Sequence, residues 1–234
     1  MRHLLLLAAA SLPGCGVASG ETTTVPHDQA PVVIELFTSQ GCSSCPPADA
    51  LLGRLAADGQ SDGRPIVALS FHVDYWNDLG WADPFSTPQW TLRQQQYARA
   101  LNDRTYTPEL VVAGQAGMVG SQGDRVAKAI KAAPAQVAIT AKGTWSNDRL
   151  TVEAPPVAGA DVWVAVWEDA GKTKVTRGEN SGESLLGDRV VRVLEKVPAS
   201  GTVSIPLPKH ASGAVAFAQK PDTRAIIGAR VLAR

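Results

Sequence analysis

Cysteine is scarce in this chain: three residues among 234. That excludes a disulfide-dense scaffold and a four-cysteine zinc centre. Net charge is missing too. Basic and acidic residues number 22 each, so there is no basic field for nucleic acid and no acidic one for a cationic partner. No apolar run reaches the roughly 20 residues a membrane-spanning helix needs. P-loop, G-x-G-x-x-G and Ser-His-Asp patterns are all absent. What is present is 44% hydrophobic sequence against 19% charged, enough to build a real core and incompatible with disorder.

Residues 1–20 read as a signal peptide. Met1-Arg2-His3 carries a positive charge, Leu4–Ala10 is unbroken apolar sequence, and a cleavage region follows. Leu12-Pro13-Gly14-Cys15 is similar to a bacterial lipobox, in which the cysteine is lipidated; ordinary cleavage near Val17-Ala18-Ser19 is the alternative. Both send the protein to the periplasm or beyond, and membrane contact is expected only through a lipid on Cys15. Residues 21–30 read as a linker. The folded part then keeps two cysteines, Cys42 and Cys45, spaced C-x-x-C. In an oxidising compartment they pair structurally or work as a redox couple.

The remainder divides into residues 31–134 and 135–234. Pro31–Thr38 and Pro65–Val73 are β-branched and nearly continuous in apolar residues, as strands covered on both faces are. Cys45–Asp58 between them predicts a helix, with Pro46 and Pro47 in a first turn whose amides lack partners anyway. A helix from Pro88 to Leu101, a hairpin over Glu109–Gly120 and a helix over Gly123–Ala133 complete the order β-α-β-α-β-β-α. The opening βαβ implies parallel strands with a right-handed crossover. After Pro134 only short strand-like runs recur: 136–141, 149–154, 161–168, 172–177, 188–196, 202–207, 214–219 and 225–232. Their regular spacing predicts an all-β sandwich-like domain.

The chemistry concentrates at Cys42-Ser43-Ser44-Cys45. A helix N-terminus stabilises a thiolate through unpaired amides and a partial positive charge. A disulfide closing so short a loop restricts little unfolded-state entropy, so a purely structural role would stabilise weakly. Glu35, the only charge in its strand, is either a proton-handling acid or one half of an ion pair. His72 and Asp74 at the exit of the second strand are weak metal candidates with the thiols; ordinary loop hydrogen bonds are their alternative role. Trp76 and Trp81 are candidates to line a substrate groove, with core packing as the alternative. Arg177-Gly178-Glu179-Asn180 reads as a turn held by an Arg–Glu pair, with a contact to the C-x-x-C half as the alternative.

Residues 33–49, Phe71–Trp76, Gly80–Phe85, Tyr106-Thr107-Pro108 and Thr176–Asn180 together resemble a family of secreted bacterial thioredoxin-like proteins catalogued as a domain of unknown function. The resemblance implies an α/β thioredoxin-like domain at 31–134. It implies Cys42 as the attacking thiolate, Cys45 as the resolving thiol, Pro108 as a cis proline and Thr107 beside it, both near the substrate. It also suggests Glu35 as the proton shuttle, although its spacing from Cys42 differs by one residue from the usual pattern. The implied activity is thiol–disulfide exchange on protein thiols or disulfides, with no cofactor. Two rivals use the same frame: copper(I) binding through the thiols, and a non-catalytic interaction module.

Overall fold

The computed structural model describes residues 30–234. The expected signal peptide, Cys15 and most of the expected linker lie outside the described residues. In the first half the order is β1 (Val32–Thr38), α1 (Pro46–Asp58), β2 (Gln60–Ser61), β3 (Arg64–His72), α2 (Pro88–Leu101), β4 (Glu109–Val112), β5 (Ala116–Val119) and α3 (Gly123–Ala132). β1 runs parallel to β3 from Val32↔Ile66 to Thr38↔His72. β4 lies antiparallel on its other side and forms a hairpin with β5.

Every residue of β1 is buried because both faces are covered. Val32, Ile34 and Leu36 pack with Ala48 and Leu52 of α1 and Val126 and Ile130 of α3. The alternate residues Val33 and Phe37 pack on the opposite face with Trp90 and Tyr97 of α2. This period-two alternation decides which side chains of β1 share a face with the C-x-x-C helix.

The second half contributes β6 (Lys142–Trp145), β7 (Arg149–Glu153), β8 (Asp161–Glu168), β9 (Gly171–Lys174), β10 (Ser184–Gly187), β11 (Val190–Lys196), β12 (Thr202–Pro206), β13 (Ala211–Gln219) and β14 (Ile226–Leu232). The chain crosses from one half to the other between α3 and β6, but the main sheet is continuous. Its order is β14-β13-β8-β11-β3-β1-β4-β5, with β2 paired to β3. The join is narrow: Val190 of β11 registers with Ser70 of β3, and the Ser70 amide donates to the Arg189 carbonyl at 2.9 Å. Side-chain packing makes the join firm. Trp167, Val191, Val215 and Phe217 enter the same core as Phe37, Phe71 and Tyr97. A separate three-stranded sheet, β12-β7-β6, covers the second half, packing Leu150, Val152 and Ile205 against Val164, Val166 and Ala216.

Two element expectations need correction. Residues 136–141 form no strand; Val137 makes a single bridge to Gly228 and is 54% exposed, and the strand starts only at Lys142. Apolar alternation there reflects Ile139 and Ala141 tucked under the sheet. Ser184–Gly187, between the expected runs 172–177 and 188–196, is a strand that pairs with β9. Its alternation is too short to register as a period.

Candidate functional site

Cys42 and Cys45 form a disulfide where β1 gives way to α1. Cys45 is the N-cap of the helix, and its carbonyl accepts from the amides of Ala48 and Asp49. Cys42 lies in the preceding turn, where its amide donates to the Ser39 carbonyl at 3.1 Å. Pro46 and Pro47 occupy the first helical positions and carry no amide hydrogen. The amides able to face an anion here are therefore those of Ser43 and Ser44. Both cysteines are fully buried, although Ser43 and Ser44 between them are exposed.

A buried polar cluster braces the turn. The Gln40 amide donates to Asp83 Oδ2 at 2.7 Å, and His72 Nδ1 lies 2.7 Å from the same oxygen. Trp81 Nε1 donates to Gln40 Oε1 at 3.2 Å. Burial works against the charge on the His72 ring, but Asp83 outweighs it and holds its pKa above the ordinary value. Burial likewise opposes the Asp83 carboxylate, and His72 with the amides of Gln40 and Phe85 holds its pKa down. Asp49, one helical turn after Cys45, is half-buried on the same side. Desolvation pushes its carboxyl up to about 6 against the pull of His72.

The other sequence-derived candidates divide. The Thr107–Pro108 bond is cis, and Thr107 Oγ1 accepts from Trp76 Nε1 at 2.8 Å. Trp76, Thr107, Trp81 and Gln40 thus belong to the same side of the molecule as the disulfide turn. Glu35 does not join them. Its side chain lies on the α2 face, where Arg93 Nε donates to Oε1 at 2.7 Å and the Tyr97 hydroxyl donates to Oε2. Gln219 of β13 completes this network, accepting from Arg93 at 3.3 Å and donating to Tyr97 at 2.8 Å. Burial works against the guanidinium, and Glu35 holds its pKa above the ordinary value. Glu35 is therefore a buried ion-pair partner that ties the halves together. Its partner is Arg93 of α2.

His72 and Asp74 do not converge. His72 pairs with Asp83, while Asp74 Oδ1 accepts from Thr91 Oγ1 of α2 at 2.5 Å. Among the described residues no group of three or more His, Cys, Asp or Glu side chains is placed to hold a metal ion.

Three contributors had no site role assigned from the sequence. Asp83 and Gln40 sit inside the quoted motifs but carry no recognisable spacing signal. Asn180 comes from the other half: its side-chain amide donates to the carbonyls of Gln40 at 2.9 Å and Cys42 at 3.0 Å. Its neighbour Glu179 accepts from the Ser43 amide at 3.1 Å, and the hydroxyl and amide of Ser43 together lower the pKa of its carboxyl. The expected Arg177–Glu179 pair is absent among the described ion pairs, because the Ser43 amide has taken the carboxylate.

The profile of a family described as "Protein of unknown function (DUF1223)" matches residues 33–222. A crystal structure of an Agrobacterium tumefaciens protein is similar at 29% identity and TM-score 0.64, covering 86% of this chain and 93% of that one. A structure of HBP35 of Porphyromonas gingivalis is similar in fold at 16% identity and TM-score 0.57, covering 87% of this chain and 74% of that one. No curated protein matches the chain significantly.

Proposed function

The chain belongs to the DUF1223 family of proteins of unknown function, and we propose that it is a cell-envelope thiol–disulfide oxidoreductase built on a thioredoxin-like frame. The observation that carries the reading is a disulfide spanning two intervening residues at the N-cap of a helix, above a buried His72–Asp83 pair and the Asp49 carboxyl. So short a bridge contributes little stability through chain entropy. A cluster of buried groups with perturbed ionisation beside it is the setting in which sulfur chemistry is tuned. The leader-like sequence of residues 1–20 supports a location where disulfides persist.

In the proposed exchange a thiolate of a reduced partner attacks Cys42 Sγ. The Cys42–Cys45 bond breaks, its electron pair goes to Cys45, and Cys45 takes up a proton. The partner's second thiol gives up its proton and attacks the partner's own sulfur in the mixed disulfide, displacing Cys42, which takes up a proton. Two electrons and two protons reach this protein, and the partner leaves as a disulfide. The reverse sequence oxidises a partner dithiol. Asp49, one turn from Cys45 and poised near neutrality, is placed to exchange the proton; Glu35, neutralised by Arg93 on the other face, is not.

The deciding experiment is the reduction potential of the pair, read by thiol alkylation across a glutathione series. A value between about −120 and −270 mV is expected of a working oxidoreductase, whereas one below about −300 mV marks a structural bridge and refutes the proposal. Cys45→Ser should trap mixed disulfides through Cys42, and trapping none would count against the mechanism.

A further inference from the structure

The disulfide offers no surface to an incoming thiolate. Cys42 and Cys45 are each 0% exposed, yet sulfur–sulfur attack requires access to the sulfur. The segment seated on the main chain of this turn is the connection between β9 and β10, residues 175–183 of a hairpin that pairs with no strand of the main sheet. Asn180, 6% exposed, bonds the carbonyls of Gln40 and Cys42, and Glu179 takes the amide of Ser43. Those three main-chain groups form the polar edge of the disulfide turn. They need partners whenever they are buried. An extended polypeptide crossing the site supplies the same chemistry, a donor for the carbonyls and an acceptor for the amide.

We propose that residues 175–183 are a gate that occupies the polypeptide-docking edge of the disulfide, so that an extended cysteine-bearing segment reacts only by replacing the Asn180 and Glu179 contacts. The inference rests on the thiol–disulfide reading and names its substrate class.

The gate has the construction of a unit that lifts as one piece. It is braced internally by Val175 N–H to the Glu183 carbonyl at 3.0 Å, Gly182 N–H to the Val175 carbonyl at 2.9 Å and Glu183 N–H to the Asn180 carbonyl at 3.1 Å. Its seat is shaped for close approach. A side chain at Gly80 would come within 3.2 Å of Gly178 Cα, and one at Gly178 within 3.1 Å of Trp81 Cβ. Charge adds a bias. The Glu179 carboxylate sits on the amide that follows Cys42, and a Cys42 thiolate would repel it. The closed gate therefore favours the disulfide, and by linkage reduction favours the open gate.

The test compares the mature wild-type chain with Asn180→Ala and Glu179→Gln. Reduction of the disulfide by dithiothreitol is followed by alkylation quench, as is reaction with a reduced, unfolded cysteine-containing peptide. We expect Asn180→Ala to react at least tenfold faster with both reagents, and Glu179→Gln severalfold faster. Glu179→Gln should also shift the thiol–disulfide equilibrium up to tenfold toward the dithiol, about 30 mV. In guanidinium all three should react alike, and in wild type reduction should speed trypsin cleavage at Arg177. Wild-type rates in both variants would overturn the gate. Should Asn180→Ala fail to fold, Glu179→Gln decides alone, since its side chain is exposed and loses no packing. The two readings fail separately. Faster variants with a potential below about −300 mV would keep the gate and remove the oxidoreductase. A working potential with unchanged rates would do the reverse.

Discussion

Replacing Glu109 with Gln should flatten the dependence of stability on pH. Glu109 follows Pro108 directly and is fully buried on the α2 face of β4. Gln94 Nε2 donates to its Oε2 at 2.7 Å, while Oε1 is buried without a partner. Burial pushes its carboxyl from 4.5 up to about 7, with the Gln94 hydrogen bond opposing. A carboxyl raised on folding stabilises most below its unfolded pKa, and that contribution is lost as pH climbs through the folded one. Between about pH 5 and pH 8 the loss is about 2 to 3 kcal/mol for a rise of this size. Gln keeps the acceptor for Gln94 but cannot ionise. It costs about 1–3 kcal/mol at every pH because its amide nitrogen then lacks an acceptor. The assay is urea unfolding of both proteins at the two pH values. Wild type should lose roughly 1 M more in midpoint than the variant on going from about pH 5 to pH 8, at a typical slope. The difference between proteins cancels every other titrating group. Parallel shifts would mean the carboxylate is already solvated or paired, and the burial argument would fall.

Three other changes probe the frame and the site. Arg93→Met strands the Glu35 carboxylate in the core and should destabilise by about 3–5 kcal/mol; a loss under about 1 kcal/mol would show that Glu35 finds another partner. Gly114→Ala sets a side chain in left-handed backbone (φ +66°), with its Cβ overlapping the Arg224 carbonyl oxygen. It should cost at least about 2 kcal/mol by forcing apart the segments where the Ile226 amide bonds the Ala113 carbonyl, and an unchanged urea midpoint would contradict that packing. Asp49→Asn removes a carboxyl whose pKa burial lifts to about 6, so its neutral form, and the stability it brings, fades as pH rises through that value. If it handles the Cys45 proton, resolution of the mixed disulfide should slow at least about tenfold and lose its inflection near that pH; an unaltered rate–pH profile would remove Asp49 from the mechanism.

Much of the first half was legible residue by residue. β1 and α1 lie within a residue or so of where apolar continuity and the Pro46-Pro47 pair predict them, because local sterics and backbone accounting act over a few residues. The C-x-x-C pair was legible for the same reason: two cysteines three positions apart at a helix start have no nearer partner. Glu35 was visible as an anomaly but not as an answer. Its charge required a counterpart, yet nothing in sequence reveals that Arg93, 58 positions on, fills that need. Strand alternation in the second half found β8 but not the continuity of the sheet. The single register between Val190 and Ser70 leaves no local pattern.

By itself, then, the sequence determined the helices and most strands, the location of the thiols and the family to which the chain belongs. These follow from short-range periodicity, turn chemistry and motif spacing. Only the tertiary structure decided which acids stand near the disulfide and which are locked in ion pairs. It alone brought Glu179 and Asn180 across 136 and 138 positions to Ser43 and Cys42. Contacts of that separation arise from packing one half on the other, where burial and unsatisfied main-chain groups select partners without regard to distance along the chain.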